Sequence, residues 1–261
     1  MRFLIFGDIV GKIGRKALAE VLPELRREHR PDVVLANAEN LAHGLGMTAK
    51  TFGDVLDAGV TLFTGGNHVW DKPEGVELLR APDARVIRPA NYPPGAPGVG
   101  WITLSVDGKN VLVVNLLGRV FMKDLVDNPF RTFDAALESA GPADVVLVDF
   151  HAEVTSEKNA FGWYADGRAS VVYGTHTHIP TADARILPKG TAFVTDVGMA
   201  GARDSVIGVD PEIALSRFLT QMPNRFEPAK GPAMLQGAVI RIDPDTGRGL
   251  SIERLRVPLA G

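Results

Sequence analysis

Eight polar side chains stand out by type and place: Asp8, Glu39, Asn40, Asn67, His68, His151, His176 and His178. Each follows a short apolar run and sits beside glycine or other turn residues. Carboxylates, amides and imidazoles are oxygen and nitrogen donors that suit iron, manganese or zinc. A carboxylate can also join two cations, which two-metal hydrolases keep about 3.5–4 Å apart. The chain has no cysteine, so zinc–thiolate sites, iron–sulfur clusters, disulfides and cysteine nucleophiles are excluded. Taken singly, every candidate has an ordinary reading. Asp8, Asn40 and Asn67 could be turn formers or caps, His151 a satisfied core histidine, and His176-Thr177-His178 an incidental loop pair. Jointly that reading weakens, because four of the six histidines close an apolar run. On a strand, His176 and His178 would share a face; on a tight loop they could reach two neighbouring ions.

The apolar runs are the elements that must position these groups. Residues 2–6 form a buried strand ending in a Gly-Asp turn, residues 33–36 a second, and residues 60–63 a third ending in Gly65-Gly66. Between them, helical spacing covers residues 14–29, where Pro23 should kink or divide the helix. Thr48 should cap another helix running to about residue 58. Strands alternating with helices predict a partly parallel central sheet. The proline- and glycine-rich stretch 89–100 reads as a loop. Residues 101–106 and 111–116, joined by Asp107-Gly108, read as a hairpin. A helix over 130–140, strands over 145–150 and 171–173, strands near 184–187, 191–195, 234–242 and 250–257, and a helix near 211–220 complete the pattern. The expected architecture is one domain over residues 1–261, with two β-sheets packed together and helices outside. In α/β sheets, ligands bind at strand carboxyl ends, and five such ends carry the eight candidates.

Composition narrows the partners. The chain has 261 residues, 45% hydrophobic and 23% charged, with a net charge of −3. That is ordinary for a soluble globular protein. No general basic surplus grips a nucleic-acid backbone, so a long nucleic acid is not an expected partner. No run is long and apolar enough to span a bilayer, and the N-terminus does not read as a signal peptide. A cytoplasmic location fits the lack of cysteine. Phosphate-loop, nucleophile-elbow and His-Glu-x-x-His motifs are absent. The glycine-rich Gly7–Gly14 stretch has the wrong spacing for a dinucleotide fingerprint.

The blocks Gly7-Asp8, Asn37-Ala38-Glu39-Asn40, Gly66-Asn67-His68, His151 and Gly174-Thr175-His176-Thr177-His178 resemble those of calcineurin-like metallophosphoesterases. Two departures, Asp8-Ile9-Val10 in place of Asp-x-His and Glu39 in place of an aspartate, resemble the YmdB-like branch. So do Asn115–Met122, Thr155–Lys158 and Thr195–Met199. The resemblance implies an α/β, four-layer metallophosphoesterase fold, two packed mixed β-sheets flanked by helices. It implies two metal ions per chain, iron and/or manganese. Glu39 would bridge them; Asp8 and His178, with Asn40 or water, would hold one, and Asn67, His151 and His176 the other. His68 would be the general acid. The implied activity is phosphodiester hydrolysis of cyclic nucleotides, notably 2′,3′-cyclic ones, by hydroxide held between the ions. Two alternatives stay open: a broad phosphomonoesterase or protein phosphatase using the same site, and a non-catalytic metal-stabilised regulatory protein. Homo-oligomers are common among such enzymes and are expected here.

For substrate contacts the sequence offers His43, Arg119 and Phe121, with Lys123 nearby. His43 lies in a glycine-containing loop, where a plain surface histidine is the simpler reading. Arg119 and Lys123 could meet phosphate and Phe121 could stack on a base, or the loop could be ordinary surface with Phe121 packed inward. Trp163 and Tyr164 could also stack, but core packing is the favoured expectation for both.

Overall fold

The computed structural model describes residues 1–259. The first part of the chain alternates β1 (Arg2–Ile9), α1 (Gly11–His29), β2 (Val33–Asn37), α2 (Ala49–Asp57), β3 (Leu62–Thr64), α3 (Pro73–Arg80) and β4 (Val86–Ile87). The middle runs β5 (Trp101–Val106), β6 (Lys109–Leu117), α4 (Pro129–Ala140), β7 (Val145–His151), α5 (Thr155–Ala165) and β8 (Val171–Thr175). It continues through β9 (Arg185–Ile186), β10 (Ala192–Val194), β11 (Met199–Ala202), α6 (Pro211–Thr220), β12 (Ala233–Ile242) and β13 (Gly249–Pro258).

Two mixed sheets result. One has seven strands in the order β13-β12-β11-β1-β2-β3-β4, the other six in the order β5-β6-β7-β8-β10-β9. Their central strands are apolar on both faces, as strands covered on both sides must be. In β1, Phe3 and Ile5 enter the core between the sheets, while Leu4 and Phe6 face α1 and α2. In β7, Val145 and Leu147 join the same central core, whereas Val146, Val148 and Phe150 pack under α4 and α5. The layers are therefore helix, sheet, sheet, helix, with the two mixed sheets flanked by helices as expected.

Several expectations need correction. β1 does not end before Asp8: it runs on to Ile9, and its pairing with β2 shifts by one residue between Phe6 and Asp8. Gly7 occupies the bulge, and a Cβ there would strike the Gly198 carbonyl. Pro23 does not divide α1; its site is exposed, while Leu18, Val21, Leu22 and Leu25 clamp the helix from the buried side. Thr48 caps α2 as read, in a reciprocal pair with Thr51. The hairpin turn has positive φ at both Asp107 and Gly108, the requirement of a type I′ turn. The strands β4 and β11 and the helices α3 and α5 were not foreseen. Trp163 and Tyr164 are not core residues; they lie 52% and 38% exposed on α5. Tyr164 is engaged there by Asp134 and by the Arg168 guanidinium, 4.4 Å from its ring.

Candidate metal centre and active site

The carboxyl ends of β1, β2 and β3 in one sheet meet those of β7 and β8 in the other. Polar bonds tie the two edges together. The Gly65 amide donates to Asn115 Oδ1 at 3.1 Å, the Thr64 hydroxyl to Asp149, and the His176 amide to Asp8 Oδ2 at 3.0 Å. Asp8 is the penultimate residue of β1, and His151 the last of β7. Glu39 and Asn40 lie in the turn after β2, where the Glu39 amide donates to Asn37 Oδ1 at 3.0 Å. Asn67 and His68 follow β3. Gly66 is required beside them, because a Cβ there would enter the space of Glu39 Oε2 and His151 Nε2.

His176 and His178 stand on the loop after β8, not on a strand, with φ of 96° and 65°. Such angles cost a non-glycine residue on the order of 1–3 kcal/mol each unless the surroundings impose them. Here a buried ion pair does. Lys158 Nζ donates to Asp196 Oδ2 and to the Thr175 carbonyl, both at 2.7 Å. The same Asp196 oxygen accepts from the Thr177 amide at 3.3 Å and hydroxyl at 2.8 Å. The residue between the two histidines is thereby fixed.

The tautomers follow from the partners. The Thr175 hydroxyl donates to Asp149 Oδ1 at 2.6 Å, so toward His151 Nδ1, 2.9 Å away, it can only accept. His151 therefore carries its proton on Nδ1. His176 Nε2 faces Glu153 at 3.1 Å and His178 Nδ1 faces the Ile207 carbonyl at 2.8 Å. Each bond leaves the other ring nitrogen with a bare lone pair turned into the site. Burial pushes His151 and His176 down to about 3, so both are neutral at pH 7. Burial also pushes Asp8 and Glu39 up, and Asp149 up to about 7.

Three acceptors crowd one unprotonated nitrogen. His151 Nε2 lies 3.0 Å from Glu39 Oε1, 3.1 Å from Asn67 Oδ1 and 3.0 Å from His176 Nδ1. With Glu39 ionised, as a bound cation would keep it against the effect of burial, none of these atoms brings a proton to the others. Donors about 2.1 Å from one cation and at right angles to each other lie about 3 Å apart, which matches these separations. Glu39, His151 and His176 form a possible metal site. A second set lies alongside: Asp8 Oδ1 is buried without a hydrogen-bond partner, 3.7 Å from His178 Nε2, and Asn40 Oδ1 is also buried and unpartnered. The donors present thus fit metal ions.

A cavity of about 510 Å³ opens above these groups, lined by Glu39, Asn40, His43, His68, His176 and His178 among others. His68 Nδ1 lies 2.9 Å from Asp71 Oδ2, while its amide donates to Glu39 Oε2 at 2.9 Å. His43, on a positive-φ residue, thus borders the cavity. Arg119 and Phe121 do not line it; Phe121 is 86% exposed and not packed inward. Their amide-bearing loop is held by the Glu157 carboxylate, which accepts from Arg119 N at 3.0 Å and Val120 N at 3.2 Å. Sequence reasoning assigned no role to Asp71, Asp149, Glu153, Lys158, Thr175 or Asp196. Lys158 and Asp196 fall in the stretches Thr155–Lys158 and Thr195–Met199, which carried the family resemblance without a stated function.

A family profile described as "YmdB-like protein" matches residues 4–255. A protein of Bacillus subtilis named 2′,3′-cyclic-nucleotide 2′-phosphodiesterase is 46% identical over 259 residues, covering 98% of this chain and 97% of that one. The crystal structure of a Mycoplasma pneumoniae protein titled a novel phosphatase superposes with a TM-score of 0.93 at 35% identity, covering 100% of this chain and 94% of that one. A calcineurin-like phosphoesterase of Bacillus subtilis shares the fold, with a TM-score of 0.53 at 11% identity, covering 100% of this chain and 90% of that one. The chain accordingly belongs to the YmdB-like family and is a phosphoesterase of calcineurin-like fold.

Proposed function

We propose that the chain is a two-metal phosphodiesterase that opens 2′,3′-cyclic nucleotides. Carrying this reading is the crowding of unprotonated donors around His151 Nε2 beside a cavity large enough for a nucleotide. The name of the Bacillus relative supports the substrate. Mixed nitrogen and oxygen donors without sulfur suit iron or manganese. Glu39 would bridge the ions, Asn67, His151 and His176 would hold one, and Asp8 and His178, joined by Asn40 or water, the other. When bound, such ions lower the pKa of water to about 7 in favourable sites and neutralise phosphate charge.

The chain's own side chains supply the rest. His68 borders the cavity, and with Nδ1–H donating to Asp71 its Nε2 is the nitrogen left for substrate, which carries a proton when the ring is an imidazolium. Asp71 orients the ring. As water adds to phosphorus and the P–O2′ bond breaks, the departing oxygen takes the His68 proton, leaving a 3′-phosphomonoester. General acids of this kind contribute roughly 10²–10⁴-fold. Val10, Leu45, Ile179, Ile207 and Val209 line the cavity, offering apolar surface to ribose and base and keeping the local dielectric low. We place this activity in a single cytoplasmic domain over residues 1–261.

The test is a substrate panel on protein purified with its own metals, with and without chelator. 2′,3′-cyclic AMP should be hydrolysed well ahead of a simple monoester, and chelation should abolish turnover. A preference for the monoester would favour the phosphatase alternative; turnover indifferent to chelation would remove the metals from the reaction.

A further inference from the structure

Beyond the catalytic cavity lies a second hollow of about 770 Å³, and the two share His43, Leu45, Phe226, Glu227 and Pro228 in their walls. The outer hollow is lined by Lys12, Lys72, Arg225 and Lys230. None of these four is among the lysine and arginine ion pairs of the described residues. Glu227 is the one acid in that wall. Four cations against one carboxylate in one concavity are a local excess of positive charge in a chain whose net charge is −3. Such an excess attracts a polyanion and makes binding salt-dependent. At the join, Phe226 is 45% exposed, with the Arg217 guanidinium 4.8 Å from its ring centroid. An exposed aromatic beside a cationic groove is the usual platform for single-stranded bases.

We infer that the preferred substrate is a short single-stranded oligoribonucleotide whose 3′ end carries the 2′,3′-cyclic phosphate. This rests on the phosphodiesterase reading above. The terminal nucleotide enters the catalytic cavity. A preceding base stacks on Phe226, and the phosphates upstream run along Lys12, Lys72, Arg225 and Lys230. The chemistry is unchanged: one water is consumed, one P–O bond is broken, and the oligonucleotide keeps a 3′-phosphate. The acidic overall charge argued against long nucleic acid as partner; the local geometry limits the track to a few phosphates.

The experiment compares kcat/KM for 2′,3′-cyclic AMP and for a pentanucleotide ending in the same cyclic phosphate, on protein purified with its own metals. The pentanucleotide should be favoured at least tenfold at low salt. Four phosphate contacts on a single strand predict a loss of about fifty-fold between about 50 and 200 mM salt, against about threefold for one contact. The paired substitution Lys12→Glu and Lys230→Glu should cut the ratio of the two kcat/KM values at least tenfold. Equal kcat/KM values with equal salt slopes, or a ratio untouched by the substitution, would overturn the inference while leaving the mononucleotide activity standing. If neither substrate turned over, the phosphodiesterase reading would fail instead. Fluorescence anisotropy of a labelled pentanucleotide then decides the track alone: salt-sensitive binding lost in the double variant supports it, and no binding ends it.

Discussion

The inner and outer walls of the site are built differently. Around His151, His176 and Asp8, each donor group is braced by a protein partner at one polar atom while the other faces the site. Around His43 and Phe226, side chains are exposed and largely unbonded, as they are on the Arg119–Phe121 loop outside the cavity. The difference separates two tasks. Donor positions for metal ions must be held to within a few tenths of an ångström, so buried bonds over-determine them. Substrate contacts can be adjustable, so they lie where the chain leaves the sheets.

If that contrast is right, substitutions at the inner wall cost most. Lys158→Met leaves Asp196 as a lone buried charge, and stability should fall by about 3–5 kcal/mol in denaturant titration; a loss below about 1 kcal/mol would show that the pair does not brace the loop. The double substitution Lys158→Met, Asp196→Leu should regain much of that stability without regaining metal affinity, because Thr177 has lost its anchor. His68→Ala should retain metal and lose at least about tenfold in turnover on a poor leaving group. The deficit should shrink on an ester whose leaving group needs no proton, and a full rate on both would remove His68 from the chemistry. Thr175→Val keeps the shape but takes away the acceptor for His151 Nδ1–H. Metal titration should show affinity lower by about 10–100-fold, and unchanged affinity would mean that the tautomer is set otherwise. Outside the cavity, Phe121→Ala should alter stability by no more than about 0.5 kcal/mol. A raised KM at constant kcat would make Phe121 a substrate contact, whereas unchanged kinetics would leave it as plain surface.

The same contrast explains what could be read in advance. Strands such as Arg2–Ile9 and Val145–His151 contain uninterrupted apolar stretches, Phe3–Phe6 and Val145–Val148, so they and the polar residues that follow were legible. Met199–Ala202 was not, because Met-Ala-Gly-Ala has little β-propensity; it is a strand through its pairing with β1 and β12. The helix Thr155–Ala165 was hidden for a related reason. Its buried positions, Glu157, Lys158, Phe161, Gly162 and Ala165, have helical spacing, but two of them are charged. They are buried for what they bond, and a hydrophobic pattern does not register that. The candidate donors could be chosen by type, whereas the groups that orient them lie far away in sequence. Thr175 with Asp149, and Lys158 with Asp196, become partners only when the sheets meet.

The central claim is that the donors around His151 and Asp8 hold a pair of metal ions. Anomalous scattering from crystals of the natively purified protein tests it most directly. Two strong peaks should appear, one against His151 Nε2, Asn67 and His176, the other against Asp8 and His178, with Glu39 between them. Crystals showing no peak within coordination distance of His151 Nε2, from protein that is active on 2′,3′-cyclic AMP, would contradict the account.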